Sequence, residues 1–394
     1  MRLDRLQITD YRNLERVELP LDSPLAVFVG ENAQGKSNLL EAIYLLATMR
    51  AIRAESDAQM IRRGALDDPL PAARVVGQVS TAEGPLKIEV TVVARPGPNG
   101  IIGSKTVKVN GVARRLSDAV GRLTAVLFTA EDLDMIVGSP SPRRRYLDTT
   151  LAQIDPQYAS ARSHFDRVLT QRNSLLKRIR EGLARQDELE YWDSELSRDG
   201  ARIFHRRTLA VGALSTLSAE IHARLAPGED LAVSYQPRLD SPVEGDTEDE
   251  LRERYARALA TGVGRDVAAG MTLSGPHRDD LAFVLDGMPA AGFASRAQQR
   301  TIALSIRLAE ARFLRDRRGE PPLLLLDDIL SEMDAGRRHS VLAALGDAEQ
   351  MMVTGTDWDR FPPGFLAGAS QFEVAGGSVL PRVPDPLVAR TADS

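Results

Sequence analysis

The chain contains no cysteine. Disulfides and thiolate metal sites are therefore excluded. No apolar run approaches the roughly 18 residues that a membrane-spanning helix needs. The opening MRLDRLQITDY lacks the apolar core of a secretory leader. These absences fit a cytoplasmic protein with no membrane partner, and that is the expected location. A surplus of positive charge is missing too: Lys and Arg number 50 against 55 Asp and Glu, a formal net charge of −5. A globally acidic chain is not an obvious nucleic-acid binder, so any such contact has to come from local patches. There is no internal repeat.

What is present is ordinary for a globular protein: 43% hydrophobic and 27% charged residues. At 394 residues, two domains or lobes are expected. Leu6 and Ile8 begin an alternating strand that turns at Asn13. LAVFVG at 25–30 reads as a strand ending in glycine, and SNLLEAIYLLA after it as a helix. From about 74 to 112 the pattern has period two, with Asn110-Gly111 as a hairpin turn, which predicts an antiparallel sheet. Residues 140–226 read as mostly helical, a hairpin of long helices broken near Gly182. The segment 237–250 is an acidic, exposed linker. PPLLLLDDIL and MMVTGT are buried strands, SRAQQRTIALSIRLAEARFL and VLAALGDAEQ are helices, and the tail after about 377 has no periodicity.

Five segments carry chemistry. Gly30, Glu31, Asn32, Ala33, Gln34, Gly35, Lys36 and Ser37 fit GxxxxGK[ST] between a predicted strand and a predicted helix. Glycines let successive N–H groups curl round a phosphate, and the helix turns its positive end to the same charge. Lys36 is placed for β- and γ-phosphates and Ser37 for Mg²⁺. This loop predicts ATP and Mg²⁺ as ligands. Four leucines at 323–326 then deliver Asp327 and Asp328 to the C-terminal end of a strand, where ligands sit in open α/β sheets. Asp327 suits a Mg²⁺ partner, and Asp328 suits a group that orients or deprotonates attacking water. The long separation of these two motifs implies that a large insertion splits the nucleotide domain. Ser331–Asp334 reads on its own as a helix cap, with Ser331 bonding backbone and Asp334 in the first turn. Ser295 at a helix start can cap that helix or face an anion. Ser274–Asp280 surrounds His277 with two aspartates, but no second histidine lies at ligand spacing, so a packed polar turn is preferred to a metal site.

In this order the segments resemble the RecF family, ABC-type ATPases of bacterial recombinational DNA repair that are not membrane proteins. GENAQGKSNLLEAIYLLA and SGPHRDDLAF resemble the family's two signatures. GSPSPRRRYLDTTLAQIDPQY and RVLTQRNSLLK are similar to it as well, so the resemblance covers nearly the whole chain. It implies an α/β fold: a P-loop ABC-type ATPase head, mixed sheet plus antiparallel β subdomain, similar to the SMC head, with an inserted, mostly helical second lobe. The expected boundaries are 1–128 and 262–376 for the ATPase lobe, 129–261 for the helical lobe, and a mobile tail at 377–394.

The resemblance also implies roles. Arg12 and Asn13 become nucleotide contacts, Gly30–Ser37 the Walker A loop and Asp327 Walker B. Asp328 replaces the glutamate usual in ABC ATPases, and its shorter reach suggests slow hydrolysis. Ser331–Asp334 becomes the D-loop, with Asp334 in the nucleotide site. Ser295 opens the signature that meets the γ-phosphate held by a second copy, so an ATP-dependent homodimer is implied. Thr356 and Asp357 fall at the switch position. Three departures stand out: Ala297 for the signature glycine, Ser37 for threonine, and RAIRA at 50–54, which keeps Arg50 and Arg53 but loses the family's hydroxyls. The implied partners are duplex DNA, single-strand/duplex junctions, and RecR- and RecO-type mediators. Arg50, Arg53, Arg143, Arg144 and Arg145 are the leading DNA candidates, with further basic residues at Arg62, Arg63, Lys177, Arg178 and Arg180. Another SMC-like ATPase, a P-loop kinase and a non-hydrolysing scaffold are the alternatives. The helical insertion is too short for long SMC arms, and a small kinase needs neither the long gap nor the serine-started helix.

Overall fold

Strands β1 (Arg2–Tyr11) and β2 (Leu14–Pro20) form a hairpin whose two-residue turn is Arg12-Asn13, with Arg12 at φ 56°. The computed structural model describes residues 1–97, 100–239, 245–329 and 348–382. They form two units, Met1–Ala130 with Leu314–Ser394, and Glu131–Phe313.

In the first unit, β3 (Leu25–Val29) runs into a loop and then helix α1 (Lys36–Thr48). Strands β4 (Ala72–Thr81), β5 (Gly84–Gly97), β6 (Gly100–Val109) and β7 (Val112–Arg114) extend the opening hairpin into a six-stranded antiparallel sheet, order β2-β1-β4-β5-β6-β7. This is the antiparallel sheet that the period-two pattern predicts. Asn110 and Gly111, at φ 50° and 80°, make the β6–β7 turn, because a two-residue hairpin that matches strand twist needs two positive φ angles. A short helix, α2 (Leu116–Ala119), leads to β8 (Ala125–Phe128).

The second unit is built on helices α3 (Leu133–Val137), α4 (Pro140–Ile154), α5 (Pro156–Arg180) and α6 (Glu190–Leu225). Pro140 and Pro156 each stand in a first turn, where a missing N–H costs nothing. Gly182 at φ 73° breaks the chain between α5 and α6, which pack as a hairpin. The unit continues with β9 (Leu231–Gln236), α7 (Glu248–Ala269), β10 (Asp280–Leu285), β11 (Met288–Pro289), α8 (Ala290–Phe293) and α9 (Arg296–Arg318). A capping box of Thr247 and Glu250 starts α7 and ends the acidic linker. The buried stripe of α5 runs Tyr158, Ala161, Phe165, Val168, Arg172, Leu175 and Leu176, as helical spacing requires. Arg172 and, on α6, Arg207 are wholly buried in this core.

Packing sets the lobe boundary differently from the expected 261/262. Residues 262–313 belong to the helical unit, because β9 pairs with β10 along its length and the buried carboxylates Asp266 and Asp279 bind Arg172 and Arg207. The first unit resumes at Leu314, within α9, and continues with β12 (Leu323–Leu326), β13 (Met351–Gly355), β14 (Ser370–Ala375) and β15 (Ser378–Pro381). The second six-stranded sheet has order β15-β14-β3-β13-β12-β8 and is parallel except at β14–β15. Ser378–Pro381 is therefore a paired strand, contrary to the mobile tail expected from 377; residues 383–394 lie outside the described residues. Helix α1 touches both sheets of its unit. That is why LLEAIYLLA, Glu41 apart, is apolar all round rather than on one stripe.

Candidate functional site

The parallel strands of the second sheet all end on one edge, and their order places the site. β3 ends at the glycine loop and β12 ends at Asp327. Between them lies β13, ending in Thr354 and Gly355. Two motifs 290 positions apart thus meet one strand from each other: the Ser37 hydroxyl donates to Oδ1 of Asp327 at 2.9 Å.

The loop itself has little room for side chains. A Cβ on Gly30 would lie 2.1 Å from the carbonyl oxygen of Val374. Gly35 has φ 118°, and a Cβ there would meet the Asn13 amide at 2.9 Å. Asn13 accepts from Asn38 Nδ2 at 2.8 Å, so the turn of the first hairpin buttresses the loop. Gln34 ties it to the β14–β15 turn, accepting from the N–H groups of Gly376 and Gly377. Ala33 takes φ 64°, while Glu31 and Asn32 are exposed.

Lys36 is 6% exposed and folds back to donate to the carbonyl oxygens of Gly30 and Glu31 at 2.5 and 2.9 Å. Burial lowers its pKa, although Asp328 and Asp327 pull the other way. Asp327, 8% exposed, receives three donors: Ser37, the Thr354 hydroxyl at 3.0 Å, and Arg53 Nη2 at 3.3 Å on Oδ2. Asp328 has φ 56°; its N–H donates to Thr354 Oγ1 at 2.9 Å, and its Oδ1 is buried without a hydrogen-bond partner among the described residues. An ionised carboxylate oxygen without a donor is costly to bury. A lysine, two carboxylates and a hydroxyl at the mouth of a glycine loop can hold a polyphosphate and a hard cation. Ser37 Oγ with Asp327 supplies two oxygen donors of the kind Mg²⁺ takes alongside phosphate oxygens and water, so the donor set fits that ion.

Two residues of this site escape the motif reading. Glu41, 2% exposed on α1, accepts from Arg12 Nε at 3.0 Å and from the N–H groups of Ile52 and Arg53, both at 3.0 Å. Burial pushes its pKa up, but these donors prevail and hold it below the usual range. Its signal was a carboxylate amid an apolar helix. Thr354, which orients both aspartates, had only a hydroxyl within MMVTGT. Arg12 also reaches the Gln59 carbonyl at 3.1 Å, so here its guanidinium is engaged by protein.

The remaining predicted residues scatter. Ser295 lies in the other unit and caps α9, as one of its two readings expects. Ser331–Asp334, including Asp334, fall outside the described residues, as does most of the predicted helix VLAALGDAEQ. Asp357 caps a short turn at Trp358–Arg360. The arginine triplet does not form one basic face, because successive residues on α4 point about 100° apart. Arg143, 8% exposed, binds Asp280 with Nε at 2.6 Å and Nη2 at 2.9 Å and also reaches two carbonyls. That takes it out of the set of exposed phosphate contacts. Arg144 donates to the Asp279 carbonyl, Arg53 is committed to Asp327, and Arg145 and Arg50 are exposed. The 274–280 segment is the packed polar turn expected of it. His277 donates from Nε2 to the Thr272 carbonyl at 3.0 Å, and burial lowers its pKa to about 4.

The family model described as RecF/RecN/SMC N terminal domain matches residues 2–361. The DNA replication and repair protein RecF of Roseiflexus castenholzii is 40% identical over 395 residues, covering 97% of this chain and all of the relative. The protein of that name from Synechocystis is 36% identical, covering 98% of this chain and 100% of its own. A solved structure of the recombination mediator protein RecF-ATP in the RecFOR pathway matches with a TM-score of 0.85 at 31% identity, covering 97% of each chain. An SMC head bound to the C-winged helix domain of ScpA matches in fold alone, with a TM-score of 0.51 at 18% identity.

Proposed function

The chain belongs to the RecF family of DNA replication and repair proteins, with the ABC-type ATPase head fold, and from that premise we propose that it is an ATP-gated DNA-binding protein of recombinational repair. The observation that carries the proposal is the Ser37–Asp327 hydrogen bond beside Lys36. It joins the glycine loop to the distant acidic strand at one sheet edge. The triphosphate of ATP seats on the N–H groups of 30–37 and the start of α1. Lys36 exchanges its two carbonyl partners for β- and γ-phosphate oxygens. Ser37 and Asp327 would hold Mg²⁺, which would supply positive charge to those oxygens. Asp328, whose buried Oδ1 has no donor among the described residues, orients the attacking water. Thr354 fixes the carboxylate of Asp327 and the N–H of Asp328, and Arg12 and Asn13 border the nucleotide.

One copy leaves the γ-phosphate half enclosed. Ser295 and Asp334 of a second copy complete it, so two chains sandwich two ATP molecules and hydrolysis, slow with the short Asp328, releases them. Phe293, 67% exposed two residues before Ser295, gives that contact an apolar anchor. The dimer clamps duplex DNA or a gap junction through phosphates, with Arg50 and Arg145 among the exposed contacts. It promotes recombinase loading with RecR- and RecO-type mediators in the cytoplasm. The test is light scattering with ATP, ADP and no nucleotide. The parent should dimerise with ATP alone and Lys36→Met should stay monomeric; a Lys36→Met protein that still dimerises sinks the mechanism.

A further inference from the structure

Ser295 starts α9 with a reciprocal box. Its N–H donates to Oε1 of Gln298 at 2.8 Å, and its hydroxyl accepts from the N–H of Gln298 at 3.3 Å. A glutamine can do this only with its amide the right way round, since the two ends of the group are nearly the same shape and opposite in hydrogen bonding. The Ser295 N–H already favours that orientation, and a second partner at the other end of the amide fixes it. Nε2 of Gln298 donates to Oε1 of Glu229 at 3.0 Å. A carboxylate only accepts, so a flipped amide would set oxygen against oxygen.

Glu229 is held from behind in turn. Its Oε2 lies 3.0 Å from Nε2 of His222, which must carry the proton there. His222 is fully buried on α6, and its Nδ1 lies 3.0 Å from the hydroxyl of Ser305, two turns further along α9. His222 and Glu229 therefore grip the same helix at two levels. Ser295, Arg296 and Ala297 are all exposed, so little packing holds the tip of α9 and the polar relay matters more.

We infer that His222 and Glu229 are positioning residues that fix the amide of Gln298, and through it the direction in which Ser295 presents its hydroxyl at the start of α9. The inference rests on the composite-site reading, in which Ser295 meets the triphosphate on a second copy. Neither residue touches that triphosphate; both act through Gln298.

The test uses the full chain and two readouts. The first is hydrogen–deuterium exchange of the peptide carrying residues 295–298, without nucleotide. The second is the ATP concentration for half-maximal dimerisation. Glu229→Leu keeps bulk but removes the acceptor, and should speed exchange and raise the midpoint, each about tenfold. Glu229→Gln rescues both to within about twofold, because its oxygen can face Gln298 while its amide faces the other tautomer of His222. Gln298→Met should match Glu229→Leu, and the double variant should add nothing further, since both break one relay. Glu229→Leu exchanging like the parent overturns the relay, and so does Glu229→Gln failing as badly as Glu229→Leu. A parent chain that does not dimerise with ATP overturns the composite site instead, and exchange alone then decides the relay.

Discussion

Each unit buries cations, and it partners them differently. In the helical unit Arg207 is fixed by permanent neighbours: Asp148 at 2.6 Å, Asp279 at 2.9 Å, the Pro276 carbonyl at 2.6 Å and the Tyr158 hydroxyl at 3.1 Å. Burial alone would raise the pKa of Asp148, yet Arg207 and Arg162 hold it well below the usual carboxylate range. In the nucleotide unit the buried Lys36 rests on two backbone carbonyls of its own loop, and burial depresses its pKa. The first arrangement matches charge with charge and locks a core. The second leaves a cation short of anionic contact at a place a phosphate can enter. Buried charge is structural where the protein completes its shell and functional where it does not.

The comparison can be broken most sharply at Arg207. Arg207→Met leaves Asp279 buried without its cation and Asp148 with Arg162 in place of two, and should destabilise the helical unit by about 3–5 kcal/mol, read in urea unfolding. Lys36→Met is the counterpart. It should weaken ATP binding at least ~100-fold, the loss of roughly 3 kcal/mol of charge-assisted bonding. Unlike Arg207→Met it should leave the melting temperature unchanged or higher, because folding disfavours the charged lysine. An equal loss of stability in both variants would erase the distinction.

Acid should reach the helical unit through His277. Its folded pKa of about 4 lies below the ordinary histidine value. Between those two values the unfolded chain binds a proton that the folded chain refuses. Stability therefore falls as pH drops from about 6.5 to 4, by up to ~3 kcal/mol, and then levels for this group. His277→Gln should flatten that part of a stability–pH profile. The smallest effect is expected at Thr354→Val. Loss of its bonds to Asp327 and Asp328 should cost about 1–2 kcal/mol and slow ATP turnover more than it weakens ATP binding, measured by steady-state hydrolysis against nucleotide titration.

Much of the fold was legible because it rests on local rules. The glycine loop, the strand before it and the helix after it follow from residue type and period alone. So do the Asn110-Gly111 turn and the long helices around Gly182. The site was legible where one residue carries a motif, as Lys36, Ser37 and Asp327 do. It was illegible where a residue works by reaching across the chain. Glu41 looks like a stray carboxylate until Arg12 and the backbone of 52–53 close on it. Arg143 looks like one of three free cations until Asp280 takes it.

By itself, the sequence determined the chemistry available at the phosphate loop, the family, and the helices and strands with a clear period, though not the paired strands β14 and β15. Those properties depend on side-chain type and on neighbours a few residues away. Only the tertiary structure decided that 262–313 packs with the helical unit, that Thr354 sits between the two acidic motifs, and that Arg143, Arg172 and Arg207 are internal. Sheet order and ion pairing join residues across long stretches of chain, and no local pattern encodes which partner a buried charge will find.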